Sequence, residues 1–90
     1  IEAVQRKVLI HTIDGILRST QTMEHWRQTL TLPCFYMTHR SYIVNLRFIN
    51  SIRKDSILLK YRDKELTAYL TRRRYTALKD TYLWYMNSVN

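Results

Sequence analysis

A chain of 90 residues gives room for one domain, and a domain of this size buries only about 60–65% of the surface its unfolded chain exposes. With 46% hydrophobic and 12% aromatic residues, the composition excludes intrinsic disorder, which goes with few apolar side chains. Fifteen Lys and Arg stand against seven Asp and Glu, a net charge of +8, so a polyanionic partner is expected, nucleic acid ahead of an anionic membrane surface.

The chain begins at Ile1 inside a strand-like pattern and is expected to be a single domain over residues 1–90 and a piece of a longer protein. Gln5-Arg6-Lys7 reads as a polar loop tip. Residues 7–13 are rich in β-branched and long apolar side chains and predict a strand. Asp14-Gly15 is a hairpin signal, because Gly accepts the positive φ of a tight turn, and residues 16–19 predict the returning strand. Thr22 is a candidate cap for a short helix over 23–30, with Met23, Trp26 and Leu30 on one face; Pro33 ends it.

Residues 35–39 predict another strand. From 48 to 70 the pattern is strand, turn, strand, turn, strand, with turns at Lys54-Asp55 and Arg62-Asp63-Lys64. Ile57, Leu59 and Tyr61 alternate with Ser56, Leu58 and Lys60, and Leu66, Ala68 and Leu70 alternate with more polar neighbours, the period of a half-buried strand. The period then changes. Thr71 is a candidate N-cap, and Tyr75, Leu78, Tyr82 and Tyr85 form a helical stripe reaching to about Met86. The fold expected is mainly β with minor α, in small antiparallel sheets with one short inserted helix and a C-terminal helix. That is not the three-helix pattern of a helix-turn-helix reader.

Enzymatic chemistry finds no support. His11, His25 and His39 are scattered and lack Cys, Asp or Glu at metal-ligand spacing. A single Gly excludes a Gly-rich phosphate loop, and no Ser lies in a nucleophile elbow. No cofactor or metal is expected. The lone Cys34 cannot form an internal disulfide and, between Leu32 and Phe35, is expected to be a buried structural thiol. A reducing, cytoplasmic setting fits it. No apolar run approaches the roughly 20 residues of a membrane span.

The basic residues are unevenly placed. Residues 40–79 hold eleven of the fifteen, opposed there only by Asp55, Asp63 and Glu65. Arg72, Arg73 and Arg74 occupy the first turn of the last helix, where the macrodipole disfavours each cation by about 0.3–1 kcal/mol. Stability alone would place Asp or Glu there. An expected anion accounts for the choice: helix N-terminal N–H groups and Arg forks bind phosphate, and Arg also matches the two acceptors of guanine in the major groove. A second cluster, His39-Arg40-Ser41, leads into the apolar Tyr42-Ile43-Val44. Asn45 after that run is expected to brace a turn.

The segment Phe35-Tyr-Met-Thr-His-Arg-Ser-Tyr-Ile-Val-Asn-Leu-Arg-Phe-Ile49 resembles the signature of the LytTR family of DNA-binding domains. Its core is His-Arg-Ser-Tyr-Ile-Val-Asn followed by a variable pair and Ile. Thr71-Arg72-Arg73, ahead of Leu78-Lys79, is similar to the Ser-Arg-Arg segment of that family. The Ile1-Glu2-Ala3 start and the Asp14-Gly15 hairpin match its N-terminal half. The resemblance implies small antiparallel sheets in an elongated β-β-β arrangement, with promoter DNA bound by loops that enter successive major grooves. It also implies that the first strands of the family are truncated here, and that Arg74 stands where an aromatic residue is common.

Carried over residue by residue, the resemblance implies base or nearby backbone contact by Arg6, Arg40 and Arg73, positions that coincide with the three basic clusters. Lys7, Ser41, Arg72, Arg74 and Lys79 are expected to grip phosphates, and His39, Tyr42 and Asn45 to be structural. The expected partners are double-stranded promoter DNA, an N-terminal receiver domain and a second copy on repeated sites, with no membrane. The function expected is sequence-specific transcription regulation as the output domain of a bacterial two-component response regulator. The alternatives are a general binder of RNA or single strands that stacks bases on its Tyr residues, or a protein- or membrane-interaction module using the apolar cluster at 82–86.

Overall fold

The computed structural model describes residues 1–88. Strand β1 (Glu2–Val4) turns through Gln5-Arg6 into β2 (Lys7–Thr12), and β2 turns into β3 (Gly15–Ser19). In the second hairpin Thr12 pairs with Gly15, so Ile13 and Asp14 form the loop and the strand starts one residue earlier than the sequence predicts. Gly15 takes φ +148 there, a conformation side chains disfavour. The Thr12 hydroxyl closes the loop, accepting from Asp14 N–H at 3.2 Å and donating to Gly15 O at 2.8 Å.

Helix α1 (Met23–Thr29) begins where predicted, with Thr22 Oγ1 accepting from His25 N–H at 3.1 Å. Its inner face carries Met23 and Trp26, and the Trp26 indole N–H donates to Ser19 Oγ at 2.8 Å. This bond ties the helix to the end of β3. Strands β4 (Phe35–His39) and β5 (Tyr42–Asn45) form the next hairpin. A single 3-10 turn over Leu46–Phe48 follows, capped by Asn45 Oδ1, which accepts from Arg47 N–H at 3.0 Å. The turn delivers the chain to β6 (Ile49–Ile52), β7 (Ser56–Tyr61) and β8 (Lys64–Tyr69), and α2 (Arg72–Ser88) ends the described chain.

All strand pairs are antiparallel. One sheet has the order β3-β2-β1-β5-β4 and the other β6-β7-β8. The period-2 pattern of β7 and β8 is realised about Ile57 and Ala68, which are buried opposite one another while Lys60 and Glu65 face solvent, but Leu66, expected on the inward face, is exposed. The helical stripe is realised too, for Leu78 and Tyr85 are buried and Tyr75 and Tyr82 pack beside them. Leu46, Ile57 and Leu78 are fully enclosed, joined by Val44, Ile49, Ala68 and Leu70. Each such aliphatic side chain contributes about 1.5–3 kcal/mol by leaving water. Cys34 is half-buried against this core rather than enclosed in it, because its neighbour Leu32 turns outward to solvent.

One junction fixes the two sheets to each other. The fully buried Thr38 of β4 donates its hydroxyl to Tyr69 O at the end of β8, at 2.8 Å. Two residues later Thr71 N–H donates back to Thr38 O at 3.2 Å. The exit of β8 and the start of α2 are therefore held against the C-terminal end of β4.

Candidate nucleic-acid interface

Arg6 stands in a two-residue hairpin loop, since Val4 pairs with Lys7. Gln5 and Arg6 take φ +47 and +67. Positive φ at both central positions gives the twist that a tight hairpin needs, and Asn-Gly is the usual solution. Side chains bearing a Cβ cost about 1–2 kcal/mol each in this left-handed region. The chain accepts that cost with a long basic side chain at the tip, where Gln5, Arg6 and Lys7 are all exposed.

Arg40 stands at the tip of the β4–β5 hairpin and is also exposed. His39 organises this turn: its Nδ1 accepts from Ser41 N–H at 3.1 Å. The His39 ring meets the edge of Tyr42 at 5.9 Å between centroids, and Tyr42 meets Tyr69 at 5.8 Å. The strand register shifts between Met37 and His39, and such a bulge redirects the chain at a strand end.

These two tips are neighbours. Glu2 pairs with Tyr42, and Ala3 N–H donates to Ser41 O at 2.8 Å. With β1 and β5 antiparallel, the β1–β2 loop runs on past Ser41 alongside Arg40. Arg6 and Arg40 therefore share one end of the five-stranded sheet.

The first turn of α2 comes to the same end. Besides the Thr71–Thr38 bond, the Arg74 guanidinium Nη1 donates to Met37 O. Arg74 is half-buried, unlike Arg72 and Arg73, which are exposed. The structure thus gives Arg74 an internal duty that the expectation of a phosphate grip did not include. The carbonyl of Met37, beside the bulge, accepts from this helix side chain. Lys79 lies further along α2, its Nζ over the Tyr75 ring at 5.0 Å from the centroid. Ser41, at the Arg40 tip, is half-buried.

Among the described residues the ion pairs are Glu2–His11, Glu24–Arg27 and Lys60–Glu65. None neutralises Arg6, Arg40, Arg72 or Arg73, so their charge is available to a partner. His11 is engaged with Glu2 at 2.7 Å between β2 and β1. No three His, Cys, Asp or Glu side chains gather among the described residues as a metal site would require. No described helix is long and apolar enough to cross a membrane. An apolar cleft of about 400 Å³ between the sheets is lined by Ile10, Trp26, Phe35, Val44, Phe48 and Leu66 among others, and none of the four arginines lines it.

Two further basic residues at this end were legible in the sequence only as part of the basic stretch 40–79, with Lys54 in the Lys54-Asp55 turn. Leu70 N–H donates to Asp55 O at 3.0 Å, which places the β6–β7 turn, with exposed Arg53 and Lys54, beside the entry to α2. The register of three strands, not any local motif, brings them there.

The family model of the LytTr DNA-binding domain matches residues 1–82. Among solved structures, the fold is similar to a LytTr DNA-binding domain of a response regulator from Bacillus cereus, with a TM-score of 0.70 and 21% identity, over 91% of this chain and 76% of that one. No curated protein matches the chain. A match over residues 1–82 of 90 takes in both sheets, the Arg6 and Arg40 hairpin tips and most of α2 with Arg72 and Arg73, and the chain belongs to the LytTR family of DNA-binding domains.

Proposed function

We propose that this domain binds double-stranded promoter DNA in a sequence-specific manner, as the cytoplasmic output domain of a two-component response regulator. The observation that carries the proposal is the convergence of Arg6, Arg40 and Arg72-Arg73 at one end of the fold, on three separate elements tied together by backbone hydrogen bonds. Arginines on rigid turns enter a groove with little further loss of conformational freedom, and the planar guanidinium matches guanine O6 and N7. In this proposal Arg6, Arg40 and Arg73 reach base edges. Lys7, Ser41, Arg72 and Lys79 hold phosphates, which sets affinity and its salt dependence but not sequence. Arg74 acts chiefly as a brace.

His39, Tyr42 and Asn45 serve by shaping the β4–β5 hairpin, since their contacts are internal. The longer regulator would supply a receiver domain, and a second copy on a repeated site would add avidity.

The test is selection of duplexes from a random pool by the purified domain, with single-stranded competitor and a salt series. Enrichment of one short motif with duplex preference is the expected result. Binding without an enriched motif would reduce the arginines to an electrostatic grip.

A second use of the surface has its own observation: Leu83 and Trp84 are each 58% exposed on the outer side of α2. Exposed apolar side chains of this size suit a protein contact, such as a neighbouring domain of the regulator. Comparing the exposure of Trp84 to a fluorescence quencher in the isolated domain and in the longer regulator tests it: protection in the longer protein is expected, and equal quenching would exclude a contact through this face.

A further inference from the structure

We infer that the β6–β7 turn is a further anchor on the DNA backbone, with Arg53 and Lys54 holding phosphates beside the bases read by Arg6, Arg40 and Arg73. The inference rests on the DNA-binding proposal above and extends its footprint.

The geometry is carried by two backbone hydrogen bonds and one strand pairing. Arg53 N–H donates to Ser56 O at 2.8 Å, closing the turn, and Ser56 pairs with Tyr69. Leu70 N–H then reaches Asp55 O at 3.0 Å. Leu70 is buried and immediately precedes Thr71 and the exposed Arg72 and Arg73. The turn is therefore fixed against the chain that feeds the proposed reading helix, at the end of the three-stranded sheet nearest to it.

The chemistry fits a polyanion. Arg53 and Lys54 are both exposed, and neither has an ion-pair partner among the described residues. Asp55 interrupts the run, but its backbone carbonyl is the group that faces Leu70. The opposite end of the same sheet provides a contrast. There Lys60 pairs with Glu65 at 3.7 Å, the Arg62 guanidinium lies over the Tyr61 ring, and Lys64 donates to Ile13 O at 3.3 Å. Cations at that end are engaged within the protein, whereas Arg53 and Lys54 at the α2 end have no ion-pair partner among the described residues. The two ends are separated by the length of β7, six residues or roughly 20 Å. The engaged cations at the far end therefore serve as a control, while exposed cations on a turn beside the proposed reading elements can hold phosphates, which fixes position without reading bases.

The experiment compares two double variants of equal charge change, Arg53→Gln/Lys54→Gln and Lys60→Gln/Arg62→Gln, by fluorescence anisotropy on the selected duplex and on a scrambled one across a salt series. The first pair is expected to weaken both duplexes alike, by roughly three- to tenfold at moderate salt, and to lower the slope of log K against log salt by about 1–2. The second pair is expected to leave that slope within error of the wild type. Equal effects of both pairs would mean that only net charge matters and would overturn the inference, as would an unchanged slope for the first pair. Loss of preference for the selected duplex would instead assign Arg53 or Lys54 to base reading, which also contradicts it. A wild-type domain that binds no duplex at all removes the underlying DNA-binding proposal, an outcome distinct from the others.

Discussion

Ser41 donates its amide N–H to Nδ1 of His39 at 3.1 Å, across the tip from which Arg40 is exposed. The bond requires a lone pair on Nδ1, so the His39 ring proton resides on Nε2. His39→Ala removes this bond and the edge contact with Tyr42. A hydrogen bond contributes about 0.5–1.5 kcal/mol net and an aromatic edge contact a similar amount. A fall in stability of about 1–3 kcal/mol is expected in a thermal melt. A loss of DNA affinity is expected even at temperatures where the variant is fully folded, because Arg40 loses its fixed tip. Unchanged affinity in the folded variant would show that Arg40 needs no such support.

Arg73 and Arg72 are adjacent and both exposed, yet they are assigned different roles. Arg73→Ala is expected to cost about 1–3 kcal/mol of preference for the selected duplex over a scrambled one. Arg72→Ala is expected to weaken both duplexes equally and to reduce the salt slope by about 1. Anisotropy titrations on the two duplexes separate these effects. If Arg73→Ala leaves the preference intact, base reading belongs to another side chain.

Thr38 carries the junction between the sheets, fully buried with its hydroxyl on Tyr69 O. Thr38→Val keeps the shape but deprives that carbonyl of its donor. The hydrogen bond lost contributes about 0.5–1.5 kcal/mol net. For a domain of this size each kcal/mol lowers Tm by about 4–8 °C. Calorimetry is expected to show that loss. A Thr38→Ser variant keeps the donor and is expected to fall by less; the reverse ranking would mean that methyl packing, not the hydrogen bond, holds the junction.

The elements were legible wherever a period or a punctuation residue marked them. Thr22 and Pro33 bracket α1, Gly15 marks a hairpin, and the alternation through Ile57 and Ala68 fixes which face of β7 and β8 is inward. Individual arginines were legible from their charge and their turns. Their convergence was not, because it depends on pairings distant in sequence: Glu2 with Tyr42, Leu70 with Asp55, Arg74 with Met37. No local period encodes such contacts. Arg74 shows the consequence, for a cation that looks free in the sequence is turned inward onto a strand carbonyl. The β6–β7 turn shows the converse: Lys54-Asp55 is a plain turn in the sequence, and the sheet places it, with Arg53, beside α2.

Tyr42 links the β4–β5 tip to β8 and carries a titration signature. Burial, with the nearby Glu2 carboxylate adding to it, raises its phenol above the ordinary value of 10.0. A raised folded value means that the contribution of the neutral phenol is fully present below the unfolded value and is lost as pH rises through the folded one. Stability is therefore expected to be insensitive to Tyr42 at neutral pH and to fall only in alkali. An ultraviolet titration is expected to show a late-ionising phenol that Tyr42→Phe removes. A titration curve of the variant that retains the late step would assign it to another tyrosine.

Gln5 and Arg6 separate stability from recognition most directly, because both hold left-handed backbone and only Arg6 carries charge. Asn tolerates this region better than Gln, and Gly without strain. Gln5→Asn is expected to raise stability by a few tenths to about 1 kcal/mol and to leave DNA binding unchanged. Arg6→Gly relieves a similar strain while removing the proposed base contact, so the melt is expected to hold or rise as binding weakens. Opposite signs for folding and binding in one substitution mark a position where conformational cost is retained for function. Melting curves and anisotropy on the same two proteins decide it. If Arg6→Gly leaves binding intact, the β1–β2 loop lies outside the DNA footprint, and recognition narrows to Arg40 and the start of α2.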